Sequence, residues 1–260
     1  MMTDEKLAAF AAACRREVAG ELRTDKLSRV LYSTDASLYQ LLPHAVLIPR
    51  TADDVIAAVA LAAAHGIPVL ARAAGTSLAG QAVNEALVID FTRHLDRIIA
   101  IDPAARRATV QPGVVLDDLN AALRPYALQF GPDPASSDRS TVGGAVANNA
   151  TGSHSIVYGM TADHVLGMRV VLADGSTADF PHRAECLPAL LTEHIEHQIT
   201  ALLADDANQR VIREGTPRHW RRCGGYVLDR LLPGAAEEGA GRHPALHRLV
   251  CGSEGTLAVM

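Results

Sequence analysis

A chain of 260 residues that is 48% apolar has material for one large core or two smaller ones, and with aromatics at only 4% much of the packing falls to small side chains. Its 24 basic and 29 acidic residues are interspersed, net charge −5, which excludes the concentrated basic footprint of a nucleic-acid binder while allowing a local anion site. The greasiest run, residues 55–64, is too short to span a bilayer, and the first residues lack the basic-then-apolar pattern of a secretory signal, so no transmembrane segment and a cytoplasmic location are expected.

Cys14, Cys186, Cys223 and Cys251 are scattered without a CxxC, which predicts buried free thiols rather than a disulfide framework or a metal site. An iron–sulfur cluster held by this chain alone is not expected, because clustered cysteine ligands are missing.

Leu7, Phe10, Ala11, Cys14 and Val18 recur at helical spacing, predicting a helix over 4–18 that stops at Gly20. Residues 22–40 read as a connection with Tyr32, Ser33, Asp35 and Tyr39 in a loop, either a surface link or a cover over a site. A clear unit follows. Residues 45–48 form a buried strand, Thr51-Ala52-Asp53-Asp54 is an N-cap signature for a helix over 55–65, and Gly66 ends it. Residues 67–71 and 86–91 are further strands. Between them lies RAAGTSLAGQ, residues 72–81, a loop of small residues. Strand, helix, strand and small-residue loop is the layout of an anion-binding turn, whose consecutive N–H groups form a nest for a pyrophosphate.

Residues 98–102 and 109–111 predict a hairpin around Asp102-Pro103, and Pro112-Gly113 turns the chain. Residues 116–123 predict a helix with Leu116, Leu119, Asn120 and Leu123 on one face. Residues 165–173 predict a strand closed by the Asp174-Gly175 turn, and 185–205 a helix. A basic segment over 214–225, a Gly- and Ala-rich stretch over 233–244 expected to be mobile, and the start of a strand at Val259-Met260 complete the chain.

Residues 133–158 have no long apolar run and are rich in Gly, Asn, Ser and Thr, unlike a core element. Apolar structured sequence flanks them, and a linker of that length inside a compact domain is uncommon. They read as a wall that cradles a polar ligand, with Gly143-Gly144 free to take unusual dihedrals or to lie against a flat group. No GxGxxG opens a helix and no P-loop lysine motif is present, so neither of those nucleotide sites is supported.

In order along the chain stand LIPRTADDV, RAAGTSLAGQAV, ATVQPGVVLDDLN, GPDPASSDRSTVGGAVANNATG, YGMTADHVLGMRVVLADG, CGGYVLDRLL and VCGSEGTLAV. This series resembles the FAD-binding domain of the PCMH-type flavoproteins, the vanillyl-alcohol oxidase superfamily. Within it the motifs resemble the branch of glycolate oxidase, D-lactate dehydrogenase and D-2-hydroxyglutarate dehydrogenase. The spelling RRCGGYVLDRLL is most similar to the large bacterial members that fuse the flavin domain to an iron–sulfur domain.

The resemblance implies an α+β fold of two subdomains with FAD in the cleft between them. Residues 1–42 would be a helical extension, 43–97 the first subdomain and 98–260 the second, cut short. Arg72, Ala73, Ala74, Gly75, Thr76 and Ser77 would wrap the pyrophosphate, with Gln81 beside it. Pro132, Asp133 and Ser137 would run along the flavin. Thr141, Gly143, Gly144, Asn148, Gly152 and Ser153 would line the pyrophosphate, ribose and ring. Val170 or Val171 would meet the adenine end through main-chain groups, and Glu254-Gly255 would close the cleft. Thr76 stands where some relatives carry a flavin-linking histidine, which implies non-covalent FAD. The substrate would be a D-2-hydroxy acid such as lactate, glycolate or 2-hydroxyglutarate, with the electron acceptor left open. The substrate-binding cap and any iron–sulfur domain would follow downstream, so turnover by these residues alone is not expected. Rival readings are a flavin-binding module without turnover and a sugar, alditol or phenol oxidase of the same superfamily.

Blander readings stand beside these. Arg72 is otherwise a surface arginine, Gly143-Gly144 a tight turn, and His154 a loop histidine bonded to backbone rather than one facing the ring. His194 with His197, and His243 with His247, read as solvated helix residues rather than metal ligands. Arg218, Arg221 and Arg222 hold a substrate carboxylate near Tyr226 or form a solvated basic segment. Tyr158 and Tyr226 read as packing residues.

Overall fold

The computed structural model describes residues 3–181, 190–232 and 244–260. Helix α1 (Asp4–Glu17) is capped by the Thr3 hydroxyl and buries Phe10, Ala11, Ala13 and Cys14. The segment read as a plain connection instead supplies a strand, β1 (Glu21–Arg23), and a helix, α2 (Lys26–Leu31), capped by Asp25. A three-residue strand has no readable period; pairing with a distant partner makes it one.

That partner is β2 (Ala45–Ile48), every residue of which is buried. Helix α3 (Ala52–His65) follows, with Thr51 and Asp54 forming a reciprocal capping box and Gly66 in the left-handed conformation at its end. Asp54 also accepts the main-chain N–H of Ala19 at 2.7 Å and of Arg50 at 2.7 Å, tying α1 to the helix start. Strands β3 (Val69–Arg72) and β4 (Leu87–Asp90) run parallel to β2, giving the order β1-β2-β4-β3 with β1 antiparallel at one edge. The central strands β2 and β4 are buried along their length and apolar except for the terminal Asp90, as strands covered on both faces are.

The second region begins with a hairpin, β5 (Ile98–Asp102) and β6 (Arg107–Val110), and the amphipathic α4 (Leu116–Leu123). The polar stretch then departs from its predicted character. It contains α5 (Val142–Asn148) and α6 (Ser155–Tyr158), and α7 (Thr161–His164) follows; Thr141, Ala145, Val146 and Asn149 are buried. The wall is thus also core, packed by small residues that lack an apolar signature. Strands β7 (Gly167–Val171) and β8 (Thr177–Pro181) form the predicted hairpin. Helix α8 (Leu190–Ala204) covers the described part of the predicted 185–205 helix, α9 (Asp206–Gly215) was not predicted, and α10 (Leu246–Val250) precedes the last segment. Cys186, His243 and the Gly- and Ala-rich residues 233–243 lie outside the described residues.

Val171 and Val259, both from the second region, join the core formed by α1, α3 and the four-stranded sheet. The two regions therefore share apolar contact, and the 72–81 loop faces the second region at the end of β3.

Candidate functional site

Arg72 anchors the first loop from inside. Its guanidinium donates to the carbonyls of Tyr32 at 3.2 Å, Ala82 at 2.9 Å and Thr34 at 2.8 Å, and lies 5.4 Å from the centre of the Tyr32 ring. Burial lowers its pKa, and Asp35 and Asp90 oppose that shift. It is neither a loose surface arginine nor a side chain reaching for a ligand, but the brace around which the loop turns. Gly75 sits at φ 69°, and a Cβ there would lie 2.7 Å from the Arg72 guanidinium. The 22–40 segment backs the same loop. Ala36 N–H donates to the Gly75 carbonyl at 3.0 Å, Asp35 accepts from Ala82 N–H at 3.3 Å, and the Tyr39 ring fills the space a Cβ of Gly80 would need. Tyr32 donates to the Asp90 carboxylate, and burial together with that bond pushes its pKa up to about 12. These bracing residues carry no local sequence signal, because their partners lie far along the chain.

The main-chain N–H groups of Ala73, Ala74, Gly75, Thr76 and Ser77 donate to no other group among the described residues, and all but Ala74, which is exposed, are half-buried. Five consecutive unpartnered N–H groups on a braced loop are the donor set that an anion nest uses.

The wall meets this loop directly. Thr141 caps α5 by accepting from Gly144 N–H at 3.2 Å. A Cβ on Gly143 would come within 2.6 Å of Pro112, and one on Gly144 within 3.1 Å of the Ala73 Cβ. Both glycines are helical, so their purpose is close approach, not a tight turn or an unusual dihedral. Thr76 Oγ1 lies 3.4 Å from Ser140 Oγ, which in turn contacts the Ser136 hydroxyl. Gly152 passes so close to Pro132 and Asp133 that a Cβ would lie 1.9 Å from the Asp133 carbonyl oxygen. Ser153 donates its N–H to the Asp133 carbonyl at 3.0 Å and its hydroxyl to the Asp133 carboxylate at 2.6 Å. His154 Nδ1 lies 3.5 Å from that carboxylate, so its partner is a side chain and not backbone. Ser137 is held through main-chain bonds to Pro134 and Asp117.

The two adjacent asparagines face different tasks. Asn149 is buried and accepts from Ala162 N–H at 2.9 Å. Asn148 donates to Glu254 Oε1 at 2.7 Å, and Gln81 donates to the same oxygen at 3.0 Å. One carboxylate oxygen therefore joins the loop, the wall and the final segment. Glu254 holds this place at φ 51°, with its N–H on the Ala147 carbonyl at 3.0 Å, and Gly255 beside it has open space where a Cβ would be.

Val171 is bridged to the final segment. Its N–H donates to the Val259 carbonyl at 2.7 Å and its carbonyl accepts from Val259 N–H at 2.9 Å. Arg222 pairs with Asp229 at 2.7 Å instead of standing free, and Tyr226 bonds Thr256 at 2.8 Å. His194 bonds Gln198 on α8, and the described residues contain no group of three His, Cys, Asp or Glu side chains placed for a metal. No helix among them is long and apolar enough to cross a membrane.

The profile of a family described as an FAD binding domain matches residues 43–180, more than half of the chain. D-2-hydroxyglutarate dehydrogenase of Pantoea ananatis (strain AJ13355) is 38% identical over 250 residues, covering 92% of this chain and 24% of that protein. Glycolate oxidase subunit GlcD of Bacillus subtilis (strain 168) is 38% identical over 149 residues, covering 56% of this chain and 32% of that one. The chain thus spans about a quarter of the length of the D-2-hydroxyglutarate dehydrogenase it matches. Among solved structures, 4-ethylphenol oxidase of Gulosibacter chungangensis in its isoeugenol complex superposes with a TM-score of 0.59 at 22% identity, over 71% of this chain and 37% of that one. Alkyldihydroxyacetonephosphate synthase gives a TM-score of 0.59 at 22% identity over 69% of this chain and 36% of that one, and both likenesses speak to the α+β fold alone. By the matched profile and by the relatives aligned along its length, the chain belongs to the PCMH-type FAD binding domain family.

Proposed function

We propose that this chain is the FAD-binding part of an enzyme that oxidises a D-2-hydroxy acid, of the kind handled by the D-2-hydroxyglutarate dehydrogenases it aligns with. The observation that carries this reading is the convergence of the 72–81 loop, the wall and the final segment on Glu254.

The residues fit the cofactor. The free N–H groups of Ala73 to Ser77 suit a diphosphate, and Arg72 holds them in place from behind. Thr141, Gly143, Gly144, Asn148, Gly152 and Ser153 would line the diphosphate, ribose and ring, with Pro132, Asp133 and Ser137 along the flavin. Gln81, Asn148 and Glu254 fasten the two sides of the cleft, and Gly255 leaves room beside them. Thr76, a hydroxyl near Ser140, offers no imidazole for a flavin link, which supports non-covalent binding. When bound, FAD supplies the hydride-accepting chemistry that turns a 2-hydroxy acid into a 2-oxo acid; the protein supplies position and electrostatics. We divide the chain into an extension over 1–42 and subdomains over 43–97 and 98–260. The free Cys14, Cys223 and Cys251 support a cytoplasmic setting.

The test is anaerobic addition of D-2-hydroxyglutarate, D-lactate or glycolate to the FAD-loaded protein. Loss of the visible flavin absorbance with one of these acids is the expected result. A flavin that stays oxidised with all three, yet bleaches with dithionite, would contradict turnover and leave a binding module.

A further inference from the structure

Residues 33–41 lie ahead of the 43–180 span matched by the family profile, and they form a loop closed on itself. Leu41 N–H donates to the Ser33 carbonyl at 2.9 Å, Thr34 and Gln40 form a β-bridge, and Gln40 Nε2 donates to the Ser33 hydroxyl at 3.0 Å. This closed loop lies against the 72–82 segment. Ala36 N–H donates to the Gly75 carbonyl at 3.0 Å. Asp35 takes the Ala82 N–H at 3.3 Å on one carboxylate oxygen and the Ser37 N–H at 2.8 Å on the other. The Tyr39 ring stands 2.7 Å from where a Cβ of Gly80 would be.

The Ala36 bond bears directly on the anion donors. A trans peptide is planar, and its C=O and the N–H that follows point opposite ways. Ala36 holds the Gly75 carbonyl, so the Thr76 N–H is turned away from the 33–41 loop. That N–H is one of the unpartnered donors, and the Thr76 hydroxyl lies 3.4 Å from Ser140 Oγ on the wall. Gly75, at φ 69°, is a residue at which the next peptide could otherwise turn over. Turning it over would break the Ala36 bond and withdraw the Thr76 donor.

We propose that the 33–41 loop is a positioning strap: it sets the Thr76 N–H for an anion, so that order in the strap and anion binding in the 73–77 loop favour each other. Taking that anion to be the diphosphate of FAD rests on the function proposed above; the coupling to an anion does not.

The experiment compares wild type, Asp35→Asn, Tyr39→Ala and Tyr39→Phe. FAD is titrated by flavin fluorescence and inorganic pyrophosphate by calorimetry. Thermal melting of the cofactor-free protein and amide hydrogen exchange at Ala36 and Ala82 are read for each. Asp35→Asn keeps the shape but leaves one of the two N–H groups without an acceptor, and should weaken FAD roughly tenfold, the size of one hydrogen bond to a charged group. Tyr39→Ala should weaken FAD less, and Tyr39→Phe, which keeps the ring, should restore wild-type affinity. Because coupling is reciprocal, the ligand should slow exchange at Ala36 and Ala82 in the wild type. Equal FAD affinity across the set, melting that falls while affinity holds, or exchange at Ala36 that no ligand changes would each overturn the strap. A wild type that binds pyrophosphate but not FAD, with pyrophosphate weakened in Asp35→Asn, would sink the FAD reading and leave the strap standing. A wild type that binds neither overturns both.

Discussion

The two sides that meet at Glu254 are shaped by different packing. On one side, β2 and β4 are 0–2% exposed for all residues except the terminal Asp90, and apolar burial against α1 and α3 sets the position of the 72–81 loop. On the other, Gly143 and Gly152 bring backbone against Pro112 and Asp133 at distances no Cβ allows, and a Cβ on Gly144 would lie a tight 3.1 Å from that of Ala73. The first side is sensitive to lost volume and the second to added volume. A cleft built in this way couples a conventional core to a surface whose shape is set by what is missing.

The largest expected effect is on the first side. Leu87 is fully buried, and Leu87→Ala should cost about 2–5 kcal/mol in chemical denaturation. A cost under about 1 kcal/mol would mean that the sheet is not the foundation of the loop. On the second side, Gly152→Ala adds one carbon where there is none to spare. It should destabilise by about 1–3 kcal/mol and also lower FAD retention, whereas Gly215→Ala, with nothing within 4 Å of the new carbon, should leave FAD retention unchanged. Similar FAD content in both variants would break the distinction.

Arg72 joins the two kinds of order, since its burial serves three main-chain carbonyls. Arg72→Ala should cost roughly 1–2 kcal/mol, given the part-exposed setting, with a larger relative fall in FAD affinity measured by fluorescence. Arg72→Lys keeps the charge but not the fork, so its FAD affinity should resemble that of Arg72→Ala.

The smallest effect concerns the thiols. Burial pushes Cys14 up to about 11, with Glu17 adding to the rise, and Cys251 up to about 12. Both favour the neutral form in the folded protein, so their contribution is complete below the ordinary value of 9.0 and is lost as pH rises through about 11 and 12. Iodoacetamide at mildly alkaline pH should label the half-buried Cys223 well before either of them; prompt labelling of Cys14 or Cys251 in the native state would contradict the packing.

The contrast also governs what the sequence reveals. Residues 45–48 and the Thr51 cap are legible because apolar runs and capping residues carry their own local cause. The loop and the wall are recognisable as motifs, and Gln81, Asn148 and Glu254 do meet. Their geometry is not legible, because close approach depends on partners elsewhere. Gly143-Gly144 looks like a turn until Pro112 and Ala73 are placed against it. Tyr32 and Asp35 look like loop residues until Asp90, Arg72 and Ala82 supply their partners. The Val171–Val259 bridge is likewise invisible locally, because its two halves lie far apart in the chain.

The most direct test of the cleft is the absorption spectrum of the purified chain, supplied with FAD, before and after acid precipitation. A two-band flavin spectrum whose colour moves into the supernatant is the predicted result, supporting the cleft and its non-covalent cofactor together. Colour that stays with the pellet would contradict the Thr76 reading, and a chain that takes up no flavin would contradict the cleft itself.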